Sequence, residues 1–238
     1  MKPERYFYAI AGAVFLVLTV IGFQHYIFHG KHSDGSAIAP AMLAIVVAHS
    51  SAIFAWFVML FVQAVLITSH NRRVHMTLGW GVVGIAALIV VTGPLVAFHS
   101  MRLDPSQIIF DWPGTQFLLI MYTEIALFAV FVTIGVLNRK RPRIHRPMML
   151  MACLAIVSGA TARIALVNSI FGFHHWVAIF GPVVVLGVLL LLLRAAMTRR
   201  FEREFALGLA VMVAVTMIAG RLATTGTWVD WAGTILKR

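Results

Sequence analysis

Residues 39–68 read APAMLAIVVAHSSAIFAWFVMLFVQAVLIT, a stretch with no charged side chain. As a helix it would extend about 45 Å at 1.5 Å per residue, against roughly 30 Å for bilayer hydrocarbon. A run of this length spans a membrane with tilt or overhang. Pro40 suits a first helical turn, where its missing N–H costs nothing. Inside the run, His49, Trp56 and Gln63 recur every seventh position. That spacing holds them within about 40° on one helical face. The stretch therefore predicts a membrane helix with a polar and aromatic seam.

The same character continues in both directions. The chain has 238 residues, 61% hydrophobic and 11% charged. Soluble domains carry about 25% charged residues, so lipid is the solvent this composition fits. In lipid, only helices and closed barrels satisfy the backbone. Barrel strands alternate apolar and polar residues over roughly ten positions, whereas the apolar runs here are about twenty long. The expected fold is all-α, a seven-transmembrane helix bundle forming one integral-membrane domain over 1–238. Its spans fall at about 6–28, 39–68, 76–98, 114–137, 147–170, 176–193 and 205–222. The first span has the basic flank of a signal peptide but a longer apolar stretch, and reads as a retained helix.

A net charge of +11 raises nucleic acid as a partner. The basic residues sit in short loops between apolar runs, which assigns them to topology instead, with the lipid bilayer as partner and no nucleic acid. One side collects Lys2, Arg5, Arg72, Arg73, Arg139, Lys140, Arg141, Arg143, Arg146, Arg194, Arg199, Arg200 and Arg203. The other has Lys31, Arg102, Arg221, Lys237 and Arg238. The positive-inside bias places the N-terminus in the cytoplasm and the C-terminus outside, in the inner membrane of a bacterium. A single cysteine, Cys153, excludes an internal disulfide framework and an all-cysteine zinc site.

With that topology His25, His29, His32, His49, His99, His174 and His175 lie toward the outside, while His70, His75 and His145 stand at cytoplasmic helix ends. Three ionisable residues, His49, Glu124 and Arg163, are expected at similar depth in the outer leaflet. With Gln63 they form the expected intramembrane polar core. Ionisable groups in lipid are expensive unless paired, and are functional suspects by default. One reading makes Glu124 and Arg163 a structural ion pair. The sharper one has Arg163 hold an anionic group, such as a haem propionate or a lipid headgroup.

Two constellations carry possible chemistry. A membrane b-type haem takes two axial histidines on facing helices at equal depth. His75 and His145 match at the inner ends of spans three and five, and His49 could pair with His25, His99 or His174 on the outer side, two haems so stacked carrying electrons across the bilayer. Alternatively, His25, His29 and His32 have i, i+4, i+7 spacing and suit zinc or copper, with Asp34 able to complete the set. A zinc hydrolase reading fits poorly. Ser50 and Ser51 follow His49, but the last helix has no histidine and no aspartate lies mid-membrane.

The run from His49 through Trp56, Gln63 and His75 to Leu78-Gly79 and Gly93 resembles uncharacterised bacterial multi-pass membrane proteins, grouped as a domain of unknown function. So does His145-Arg146-Pro147-Met148 with Arg163 downstream. More distantly, His75-x-x-Leu78-Gly79 followed by Gly93 is similar to a haem-bearing helix of the ascorbate- or quinol-oxidising cytochrome b class. That resemblance implies an axial-ligand role for His75. The class carries a histidine in each of four consecutive helices, and span four here has Glu124 instead. Whether the chain is an enzyme is left open. The leading expectation is b-type haem binding and electron transfer, with His49 and His75 as ligands, Arg163 on a propionate or quinone, and a quinone or another membrane protein as partner. The alternative is a non-redox sensor, assembly factor or small-solute carrier with an outward His-rich metal or pH-sensitive site.

Overall fold

A computed structural model describes residues 6–31, 35–104 and 106–237. Ten helices follow in order: α1 (Phe7–Gly22), α2 (Gln24–His29), α3 (Pro40–Thr68), α4 (Arg72–Leu103), α5 (Gly114–Leu137), α6 (Pro142–Thr161), α7 (Ala165–Phe171), α8 (His175–Thr198), α9 (Arg203–Ala223) and α10 (Gly226–Lys237). Six of them, α3, α4, α5, α6, α8 and α9, are long and apolar enough to cross a membrane. α1 is apolar but shorter. The chain is thus an all-α bundle of the multi-pass membrane kind.

α6 is the hub. It packs against α1, α5, α8 and α9, while α3 packs on α1 and α4, and α4 on α5. The sequence accounts for this placement. α6 carries small and medium residues on every side, and Leu150 to Ala155 are all buried. α3 is more peripheral, and its buried positions include the heptad residues Trp56 and Gln63. Trp56 is 1% exposed. Its indole N–H donates to Cys153 Sγ on α6 at 3.3 Å, and its ring meets Phe128 on α5 edge-on at 4.8 Å. One side chain therefore ties three helices together. Burying a side chain this large contributes several kcal/mol, about 3–5 by the cost of truncating it.

Two expected spans are broken. The segment expected at 6–28 is divided at Phe23 into α1 and α2. Gly22 makes the break possible at close quarters. A Cβ there would collide with the main chain of Ala160 at the far end of α6. The segment expected at 147–170 starts earlier, at Pro142, and ends at Thr161, with Ile164 extended before α7 begins. Arg163 therefore lies beyond the end of α6 and not inside it. Its guanidinium nevertheless reaches back to the Gly159 carbonyl, one residue from the Ser158 that Glu124 binds.

A hairpin joins α4 and α5. Strands β1 (Ile108–Ile109) and β2 (Trp112–Pro113) pair through a two-residue turn, Phe110-Asp111, with φ of 51° and 64°. Both turn residues at positive φ match the type I′ hairpin turn, whose twist suits flanking strands. α10 is amphipathic, burying Ala232 and Leu236. Trp228 in α10 donates its indole N–H to Thr115 O at 2.8 Å, docking the helix on the start of α5.

Candidate functional site: a histidine pair at the basic end

The basic end of the bundle is where α3, α5 and α8 finish and α4, α6 and α9 begin. His75 stands in the first turn of α4 and His145 in the first turn of α6. Their rings lie 6.4 Å apart at the centres, with planes at 87°. Of the histidine pairings expected from sequence, this is the one the fold brings together within the bundle.

Each ring is held by the main chain of a neighbouring helix. α5 ends at Leu137, so its last four carbonyls lack helical partners. One of them, Gly135 O, lies 2.9 Å from His145 Nδ1. A carbonyl only accepts, so Nδ1 carries the proton and the lone pair of the neutral ring is on Nε2. His75 Nδ1 lies 3.3 Å from Gln63 O on α3. The Gln63 side chain, 8% exposed, reaches the same turn of α4. With its amide nitrogen toward His75, that nitrogen is 3.1 Å from His75 O and 2.5 Å from His75 Nδ1. The amide oxygen is then 3.1 Å from Gly79 N. His75 thus has two hydrogen-bond arrangements. In one, Nδ1 donates to Gln63 O and Nε2 is bare. In the other, Nδ1 accepts from the Gln63 amide and Nε2 keeps the proton.

Two imidazoles on one metal, at about 2.0–2.1 Å per bond, have ring centres about 6.4 Å apart when opposite each other and about 5 Å apart at a tetrahedral angle. The observed 6.4 Å, with planes at 87°, is an edge-to-face contact whose spacing equals that of opposed ligands. The donor chemistry fits as well. Metal-bound histidines almost always donate their other N–H to a carbonyl or carboxylate.

The other expected site residues fall elsewhere. His49 Nδ1 is 2.9 Å from Thr92 Oγ1. Its ring rests on Gly93, where a Cβ would lie 3.2 Å from His49 Cε1 and 2.7 Å from Ile125 Cδ1. Thr92 is 17 residues beyond His75 on α4, about 25 Å along the helix. His49 and His75 therefore cannot share an iron, in keeping with their expected places at opposite ends of the bundle. Arg163 lies 18 residues beyond His145, about 27 Å away, so it does not reach a propionate of a group held at that pair.

Glu124 accepts a hydrogen bond from Ser158 on α6. Among the described residues no ion-pair contact joins Glu124 to Arg163. His25 and His29 have ring centres 6.2 Å apart on the exposed α2, which Gly30 terminates at φ 63°. His32 and Asp34, the rest of the expected metal set, lie outside the described residues. Among the described residues no group of three or more His, Cys, Asp or Glu side chains is placed to hold a metal ion.

The sequence reading missed a second cluster at the basic end. Arg194 Nε and Glu202 Oε1 form an ion pair at 2.7 Å. Arg194 also lies over the rings of Phe7 and Tyr8, at 5.3 and 5.2 Å, and Arg146 over Tyr8 at 5.9 Å. Glu202, an acid within a run of arginines, was the available signal. The cluster clamps α1, α6, α8 and the start of α9 beside His145. No family model matches the chain, and no curated protein or solved structure is similar to it.

Proposed function

We propose that the chain is a seven-span protein of a bacterial inner membrane, with its arginine-rich end in the cytoplasm. On this reading His75 and His145 hold one b-type haem at that end, for electron transfer with a quinone or another membrane protein. α1 and α2 together serve as the first span. The single observation that carries the reading is the His75–His145 pair, at opposed-ligand spacing on two helices. The similarity of the His75 segment to cytochromes of the ascorbate or quinol class points to the same residue.

When bound, the haem supplies one-electron chemistry at its iron. The chain's own residues do the rest. Gly135 O orients His145 and fixes its proton on Nδ1. Gln63 controls His75. With Nδ1 donating to Gln63 O and the Gln63 amide turned away from it, Nε2 of His75 would be free to hold the group. Arg139, stacked on Trp80 at 5.5 Å, and Arg146 bring positive charge to the same end, which favours propionate carboxylates there. His49 has a threonine and not a second imidazole beside it, so the reading takes one haem and not a stacked pair.

The test is the visible spectrum of protein expressed with ample haem, oxidised and then reduced. Wild type and His49→Ala should show sharp bands that move on reduction. His75→Ala and His145→Ala should each lose them. A flat spectrum for the wild type, or bands that survive both substitutions, sinks the proposal.

A further inference from the structure

At the end of the bundle remote from the histidine pair, one guanidinium is held in a way electron transfer does not use. Arg163 Nη1 donates to the Gly159 carbonyl. The Phe23 ring lies 4.9 Å from its guanidinium carbon and the Phe110 ring 5.8 Å. Three interruptions of regular structure thus meet on one cation: the break between α1 and α2, the end of α6, and the turn of the β1–β2 hairpin. Phe110 occupies φ 51°, a region a non-glycine residue seldom adopts.

Arg163 has no carboxylate within ion-pair distance among the described residues, and Glu124 is engaged with Ser158. The residue is exposed. It follows the first turn of α6 by about 30 Å, the thickness of bilayer hydrocarbon. The Glu124 charge acts on Arg163 without a direct contact, and a planar guanidinium with spare N–H donors at that boundary matches the paired oxygens of a phosphate.

We propose that Arg163, flanked by Phe23 and Phe110, is a phosphate-binding site that takes the headgroup of a phospholipid in the leaflet opposite the arginine-rich end. The rings flank the guanidinium, and its remaining N–H groups would give a phosphate charge-assisted hydrogen bonds. The proposal is independent of the haem reading.

The experiment reconstitutes the protein in nanodiscs of phosphatidylcholine with a minority of phosphatidylglycerol. Native mass spectrometry then counts the phospholipid that remains bound on release. The wild type should retain a phospholipid that Arg163→Gln binds about tenfold more weakly or worse, as expected when a charge-assisted hydrogen bond is lost. Phe110→Ala should weaken retention less. Arg163→Lys keeps the charge but not the fork, and should also fall short of wild type, which keeps the test sound if the glutamine variant does not fold. Equal retention by wild type and the folded variants overturns the site. A parallel titration of lipid-depleted protein with inorganic phosphate reads the Arg163 Nε–H resonance. A shift there, with no difference in lipid retention, would uphold the phosphate site and overturn the headgroup as its source.

Discussion

The two ends of this bundle treat their polar residues in opposite ways. At the basic end, His75 and His145 are partly buried, face each other and have Nδ1 against main-chain carbonyls. At the other end, His25, His29, His99, His174 and His175 are exposed, and a single arginine lies between two phenyl rings. The number of histidines pointed to the second end, but their arrangement favours the first. A ligand site needs orientation as well as donors, and orientation comes from neighbouring helices that spare a carbonyl.

Between the ends, Trp56 holds α3 to α5 and α6, and its removal is the largest perturbation expected. Trp56→Ala should cost about 3–5 kcal/mol, read as a lowered unfolding midpoint in detergent, with both ends loosened together. If one end keeps its properties while the protein unfolds easily, the ends are independent and the seam is not continuous. His145→Ala comes next. It should abolish cofactor binding and leave Gly135 O unpaired, for a loss of about 1–3 kcal/mol in the cofactor-free protein.

Smaller effects sharpen the contrast. The coupling between Glu124→Ala and Ser158→Ala in a double-mutant cycle should be about 1 kcal/mol, because the two side chains share a hydrogen bond. The cycle between Glu124→Ala and Arg163→Ala should show a smaller coupling, through charge alone and without a direct contact. A coupling as large as the first would restore the contact ion pair. The smallest change is expected from His25→Ala and His29→Ala, which should leave both the spectrum and the melting curve unaltered. A loss of bound metal from either would move the site to the exposed end.

How much of this was legible in the sequence follows the physics of each feature. The seven-residue spacing of His49, Trp56 and Gln63 projects onto one helix face, and the fold turns that face inward. Hydropathy also marks the six long apolar helices, because burial in lipid depends on composition. It does not mark the breaks at Phe23 and Ala162–Ile164. There no proline interrupts the chain, and the polar residues at the breaks, Gln24-His25 and Arg163, read as helical. The hairpin was hidden for a related reason. Its turn is Phe110-Asp111, without the Asn-Gly or Asp-Gly pair that signals a type I′ turn. The pairing of His75 with His145 was available as one of several possibilities, since both start helices at the same end. Preferring it over a pair at His49 required knowing which side chain faces His49, and that is Thr92. The clamp of Arg194 on Glu202 went unseen because charges in loops were counted for topology and not for contacts.

The most direct measurement is the number of haem groups per chain in the purified protein, taken as its pyridine derivative beside a protein assay. The account predicts one per chain, low-spin in the oxidised state as two imidazole ligands require, and absent from His145→Ala. None per chain, or two with the second lost in His49→Ala, would contradict it.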